Sequence, residues 1–343
     1  MSAEIPAGAM RFNSDSQKLE YWNGSAWFQG HTATPDLASA GDPTPGARGI
    51  FAGGFLTPGD SDTIDYINIS STGNAVDFGN LTGGRRTHGT GASQTRGLCM
   101  GGYGGGGLAS IDTITIASTG DATDYGDLVL GARWNTAGAS NATRSLLMGG
   151  ETPSPSYVNE IEYMVIASTG AGIDFGNLTG ACRPGGQNGL ASPTRVVVAL
   201  GNTPSGRVST LNFIAIATLG DAQDFGDLSV SRSRSGALSN ATRGLFGGGG
   251  NSPTNYTLID YITIASGGNA SKFGDLTVTG FRGGAVSSPT RGAWGGGVDV
   301  GGGSKTTVID YVEIATEGNA VDFGDLSVSR GQCTGFSNAH GGL

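Results

Sequence analysis

Charge is scarce in this sequence: Asp, Glu, Lys and Arg make up 14% of 343 residues, and their balance is acidic, with a formal net charge of -9. That balance argues against a general nucleic-acid surface or an anionic-membrane surface, while leaving room for local basic spots. Histidine is limited to His31, His88 and His340, none at ligand spacing from another, which disfavours zinc and copper sites. Cys99, Cys182 and Cys333 are odd in number and fall at non-equivalent places. They form no disulfide framework and read as small apolar fillers. No apolar run reaches the ~18 residues of a membrane helix. The start, MSAEIPAGAMRF, has neither a cationic nor an apolar signal segment, so the expectation is a chain made in a cytoplasm and not exported by a classical signal.

What is abundant is glycine, 64 residues without a Gly-X-Y register, set among regularly recurring apolar runs. Residues 242–276, TRGLFGGGGNSPTNYTLIDYITIASGGNASKFGDL, recur through most of the chain. The opening arginine returns as Arg48, Arg96, Arg144, Arg195, Arg243 and Arg291, at spacings of 48, 48, 51, 48 and 48 residues. Each of the six copies closes on an aromatic-Gly-Asp/Asn-Leu tetrapeptide, from residues 78–81 to residues 323–326. A period near 50 with paired glycines points to propeller blades rather than helical solenoids. Within a copy four short strands are expected: a small-residue strand such as 235–240, the Arg-to-Gly-Gly run, an Ile/Tyr/Thr-rich strand such as 258–266, and the FGDL strand. The fold class is therefore all-β, a six-bladed propeller. Residues 330–339, RGQCTGFSNA, match an innermost strand that the first copy lacks upstream of Arg48. They are expected to pair with residues 47–82 and close the ring, removing its exposed edges.

Arg232, residues 235–240, residues 245–250, Tyr261 and residues 273–276 follow the order of a kelch repeat, which this pattern resembles over residues 47–343. The diglycine persists at Gly53-Gly54, Gly101-Gly102, Gly149-Gly150, Gly248-Gly249 and Gly295-Gly296, whereas copy four has Leu200-Gly201. Ile-Asp-Tyr and Phe-Gly-Asp replace the usual Tyr-Asp and Trp positions, which makes the form divergent. The copper-centre residues of kelch-like oxidases have no match here, nor have the Ser-x-Asp-x-Gly-x-Thr-Trp boxes of sialidases. The glycine tracts 104–107 and 247–250 lack the following helix of a phosphate loop. No catalysis, cofactor or metal is expected; Asp60-Ser61-Asp62 reads as solvated loop acids rather than a calcium site.

Strand order puts the loops after the diglycine on the same face as those leading into the innermost strands. The former vary most among copies, at 55–61, 103–109, 151–158, 202–209, 251–257 and 298–305, whereas the opposite face carries near-identical SNAT and ASTG turns. Varied loops on a rigid scaffold are where recognition resides, and Tyr103, Tyr157 and Tyr256 are its candidate aromatics. On the same face Arg85, Arg86, Arg133, Arg183, Arg232, Arg282 and Arg330 lead into the innermost strands. Arg133, Arg183, Arg232 and Arg282 are the candidate oxyanion ligands of a guanidinium ring. The competing reading pairs these arginines with the recurrent Asp127, Asp227, Asp275 and Asp325. The outer set, Arg48 to Arg291, is expected to cap strands or tie blades together.

Residues 1–30 are set apart by a proline-rich linker at 31–46. Three strands are expected, at 10–13, 18–22 and 25–28, with a two-residue type I′ turn at Asn23-Gly24. Tyr21, Trp22, Trp27 and Phe28 are too many aromatics for so short a sheet to hide, so it is expected to pack either on a partner chain, as an attachment module, or on the propeller rim. RFNSDSQKLEYWNGSAW resembles short β-modules of bacteriophage tail fibres and related virion proteins. That resemblance implies a non-enzymatic virion structural protein, anchored to other virion proteins by the module. Its propeller would meet host-surface polysaccharide or neighbouring virion proteins, with oligomers forming on the particle, no nucleic-acid partner and no membrane insertion. The alternatives are a cellular kelch-like interaction module and a carbohydrate-active propeller enzyme.

Overall fold

The computed structural model describes residues 6, 8–13, 18–29, 48–154, 156–251, 253–298 and 304–343. The linker at 31–46, His31, the turn at 14–17, most of the loop at 298–305, and the side chains of Phe28 and Arg282 lie outside the described residues. The chain forms two compact units, Met1–Thr44 and Pro45–Leu343.

In the first unit Met10–Asn13, Lys18–Trp22 and Trp27–Gln29 form an antiparallel meander. The second turn is centred one residue later than Asn23-Gly24. The backbone N–H of Asn23 donates to Ala26 O at 3.2 Å, and Asn23 Oδ1 accepts from the N–H groups of Ser25 and Ala26. The asparagine side chain thus does part of a backbone carbonyl's work, and only Gly24 takes a positive φ, +103°.

In the second unit six four-stranded antiparallel sheets follow one another along the chain. The fold is a six-bladed β-propeller. In the fifth sheet, for example, Gly236–Ser239 is followed outward by Arg243–Gly247, Leu258–Thr263 and Ser271–Asp275. The first sheet takes its innermost strand from the far end of the chain: Thr334–Ser337 pairs with Arg48–Ala52 in the register Thr334↔Ala52 to Ser337↔Gly49. The ring is closed by hydrogen bonds, as the terminal small-residue segment implied.

There is no single core. Buried apolar side chains collect in six clusters, each shared by two successive blades. Ile50, Phe78 and Leu81 of blade 1 meet Cys99, Ile114 and Ile116 of blade 2, and the last cluster joins Phe323 and Leu326 of blade 6 to Phe51 and Ile67 of blade 1. Near the axis the approach is closer than a side chain permits. A Cβ on Gly138 would lie 2.2 Å from the backbone N and O of Thr90. The inner strands tie their free edges together with serine: Ser140 Oγ donates to Ala92 O, Ser239 Oγ to Ala191 O, and Ser287 Oγ to Ser239 O.

The outer set of arginines forms a second ring. Nη1 of Arg48, Arg96, Arg144, Arg195, Arg243 and Arg291 donates to a carbonyl of the next blade, on Ile116, Ile166, Ile216, Ile264, Ile314 and Ser70 respectively. Five of the six also lie over an aromatic of their own blade, as Arg243 does at 4.7 Å from the Tyr261 ring centroid.

Replacing Gly138 by Ala drives a methyl group into fixed backbone and is expected to cost about 3 kcal/mol. Gly83→Ala, where nothing lies within 4 Å, is expected to be neutral. Urea unfolding of both variants measures the difference.

Candidate functional site

Four arginines leading into innermost strands are enclosed rather than presented. Arg85, Arg133, Arg232 and Arg330 are each about 1% exposed or less and pair with Asp112, Glu162, Asp260 and Asp65 at 2.7, 3.3, 3.2 and 3.1 Å. Their partners are not Asp127, Asp227, Asp275 and Asp325. Those four sit on outermost strands, where the carboxylates of Asp227, Asp275 and Asp325 accept from Ser209, Thr257 and Thr307. The carboxylate partners come from the central Ile-Asp-Tyr strand, where alternation turns the acid inward. The same acids reach back across the seam. Asp112 accepts from the N–H and hydroxyl of Thr82 in blade 1, and Asp260 from those of Ser229 in blade 4. Burial pushes the Glu162 carboxyl up and the Arg133 guanidinium down, each against the attraction of its partner.

Blade 4 breaks this pattern on both sides at once. Counting from the leucine that closes each preceding blade, Cys182 stands where Arg85, Arg232 and Arg330 stand, and the inward acid is Asn212. A lone buried carboxylate would be uncompensated there, whereas the Asn212 amide still accepts from the N–H and hydroxyl of Thr179 at 3.0 and 2.9 Å. Of the sequence candidates, then, Arg133 and Arg232 are held in ion pairs out of solvent.

The axis is closed. Gln187 reaches across it: its Nε2 donates to Ala285 O and Gly335 O, and its Oε1 accepts from the N–H groups of Ala285 and Gly335. The irregular 51-residue spacing marks this device. Leu178 to Gly189 spans three more residues than Leu228 to Gly236, and the surplus carries Gln187 inward. At the opposite end His340 Nε2 lies 3.2 Å from Ser140 Oγ and 2.9 Å from Ala92 O, with Gly341 N–H donating to Ser239 O. The residual axial cavity is about 40 Å³, room for water and no larger ligand.

What opens to solvent is the face of varied loops around the mouth of that axis. Arg86 lies between Phe55 and Tyr103, at 4.7 Å from each ring centroid, and pairs with Asp60 at 2.9 Å. Tyr103 in turn meets Trp134 edge-on at 5.6 Å. Arg183 stacks over Tyr157 at 5.1 Å and pairs with Glu151 at 2.9 Å, while Tyr157 Oη accepts from Asn202. Tyr256 is half-buried at the same rim, its N–H bonded to Gly249 O. Arg207 donates to Ser233 Oγ and Asn251 Oδ1, and Arg234 lies over Phe281 at 5.1 Å. No family model matches this chain, and no curated protein matches its sequence. The rim alone therefore has to speak for the site. It offers polar loops, stacked aromatics and guanidinium groups, and its residues Arg207, Arg234, Trp134 and Phe55 escape a reading by repeat position because they sit where the copies differ.

Elsewhere the reactive residue types are withdrawn. Among the described residues no three His, Cys, Asp or Glu side chains stand close enough to hold a metal ion. Cys99, Cys182 and Cys333 are buried, and burial pushes the Cys182 thiol up to about 12. Burial lowers both His88 and His340, the latter to about 4. In the meander Arg11 covers Trp27 at 4.1 Å and pairs with Glu20 at 2.9 Å, and Trp22 meets Trp27 at 5.5 Å. The register sets Tyr21 opposite Met10 and Phe28, on the other face from Trp22 and Trp27, and Tyr21 and Met10 are exposed.

Two outcomes follow for stability. Asp260→Asn strands the buried Arg232 charge and should cost about 3–5 kcal/mol in urea unfolding, while the double variant Arg232→Met, Asp260→Asn, imitating blade 4, should recover most of it. Because the folded pKa of His340 lies below its unfolded value, the unfolded chain binds the extra proton between pH 6.5 and about 4. Stability should fall with pH through that window by up to about 3 kcal/mol, and His340→Gln should flatten the slope.

Proposed function

We propose that this protein is a non-catalytic virion component, such as part of a tail fibre or another surface appendage, whose propeller binds surface glycans through the varied-loop face. The observation that carries the reading is the pairing of a closed axis with an aromatic and guanidinium rim. A propeller with no room at its centre has its contact surface at the mouth, and half-buried Tyr103, Tyr157 and Trp134 offer flat apolar faces flanked by hydrogen-bonding groups. Stacked aromatics with adjacent donors suit sugar rings, which are apolar on one face and polar at the edge. Sheets packed seam to seam hold those loops without an ordering cost on binding.

The attachment half of the proposal rests on the resemblance of residues 11–27 to virion β-modules and on the exposed Met10 and Tyr21 of that sheet.

A glycan array probed with the full chain tests the first half: Tyr103→Ala and Tyr157→Ala should each weaken the strongest hit by about tenfold or more. Unchanged binding in both variants would count against the loop face. Deleting residues 1–30 tests the second half, and normal occupancy of the truncated chain on purified particles would overturn it.

A further inference from the structure

The rim holds more cation than it neutralises. Asp60 is taken by Arg86, and Glu151 by Arg183, with Glu151 Oε2 also accepting from Asn135 Nδ2 at 3.3 Å. Arg207 is held by neutral oxygens of Ser233 and Asn251. The guanidinium of Arg234 has neither a hydrogen bond nor an ion pair among the described residues. It is nevertheless placed with care. Among the described residues Arg234 is one of four non-glycine residues in the left-handed region, at φ +60°, with Thr87, Asn135 and Gln332 at the corresponding bends of other blades. These bends touch one another around the mouth: Thr87 N–H donates to Gln332 O, Gly185 N–H to Asn135 O, and Arg234 N–H to Pro184 O. Burial disfavours the Arg234 charge, and the nearby guanidinium groups of Arg183, Arg207 and Arg86 add to it.

Four guanidinium groups thus converge on one mouth with two carboxylates between them, in a chain of net charge -9. The Arg234 side chain gains only its stack on Phe281 from the fold, against the cost of partial burial and a left-handed backbone. A planar guanidinium backed by Phe281, with its donors free, is complementary to a carboxylate or phosphate oxygen pair. The closed axis sets the shape of the guest. With Gln187 across the centre, a polymer cannot thread the ring, so a charged group must come in end-on, as a terminal or pendant substituent.

We propose that the axial mouth is an oxyanion site, centred on Arg234 and flanked by Arg183, Arg207 and Arg86, that takes a single carboxylate or phosphate substituent of an acidic surface glycan. The glycan part rests on the binding function proposed above; the oxyanion part rests on the geometry of the mouth.

Titration calorimetry on the full chain, at low and at physiological salt, tests it with five probes: inorganic phosphate, inorganic sulfate, oligogalacturonate, a phosphorylated mannan and a neutral mannan. Arg234→Gln removes the charge. Arg234→Gly removes it while relieving the backbone, because glycine tolerates this φ and the neighbouring blade already has Gly185 at φ +91°. Both variants should keep or raise the melting temperature and lose at least tenfold affinity for the acidic oligosaccharides, with neutral glycan binding unchanged. Preference for oligogalacturonate over phosphorylated mannan identifies a carboxylate guest, and the reverse a phosphate. Equal affinity in wild type and both variants, or a collapse of the melting temperature in Arg234→Gly, would overturn the site. Arg234-dependent binding of inorganic phosphate or sulfate without any acidic glycan would leave the oxyanion site standing and sink the glycan reading of the face. Neutral glycan lost only on changing Tyr103 or Tyr157, with no anion bound, would do the opposite.

Discussion

Six sheets must meet around one axis, and the closeness of that meeting governs the rest of the structure. Where Gly138 passes Thr90 there is no space for a methyl group, and the innermost strands are rich in Gly, Ala and Ser. The apolar side chains of these and the next strands out are buried in six seams, each completed only by the following blade. No blade is stable without its neighbours, and the first needs the last. Closure by Thr334–Ser337 is in that sense a condition of the fold.

The scarcity of charge reflects the same geometry. Each seam encloses a loop that leaves one blade and enters the next, and its backbone polar groups must be satisfied away from water. One buried carboxylate does much of this, accepting the N–H and hydroxyl of a Ser or Thr across the seam and balancing an arginine from the same loop, as Asp65 does for Ser327 and Arg330. In blade 4, where Cys182 replaces the arginine, the acid is replaced as well, by Asn212, so neither half of the pair is buried alone there.

The proposed contact face lies at the rim because the axis offers no space. A centre spanned by Gln187 and backed by His340 cannot admit a ligand, while the hydrogen-bonded seams beneath the varied loops make a stiff platform. Stacks such as Phe55, Arg86 and Tyr103 fix the side chains on that platform before any guest arrives. Among the described residues of that platform, the Arg234 guanidinium has no hydrogen-bond or ion-pair partner.

The blade count, the strand order and the closing strand were all legible in the sequence, because a repeat presents the same constraint six times and each copy tests the others. That Arg48 and its equivalents either cap strands or tie blades together was legible for the same reason, and the folded ring shows the second. Three things were not. The partners of Arg85, Arg133, Arg232 and Arg330 were sought in the conspicuous FGDL motif, whereas the acids lie inside apolar strands that looked like core. The Asn23 turn moved by one residue because a side-chain carbonyl stood in for a backbone one. Gln187 and Arg234 occur once each, at positions the repeat does not define. The chain by itself determined what is periodic, since local pattern and spacing suffice for strands and their order. Only the folded ring decided which charges are buried, what spans the axis and which arginines gather at the rim, because those depend on distances between blades far apart in sequence.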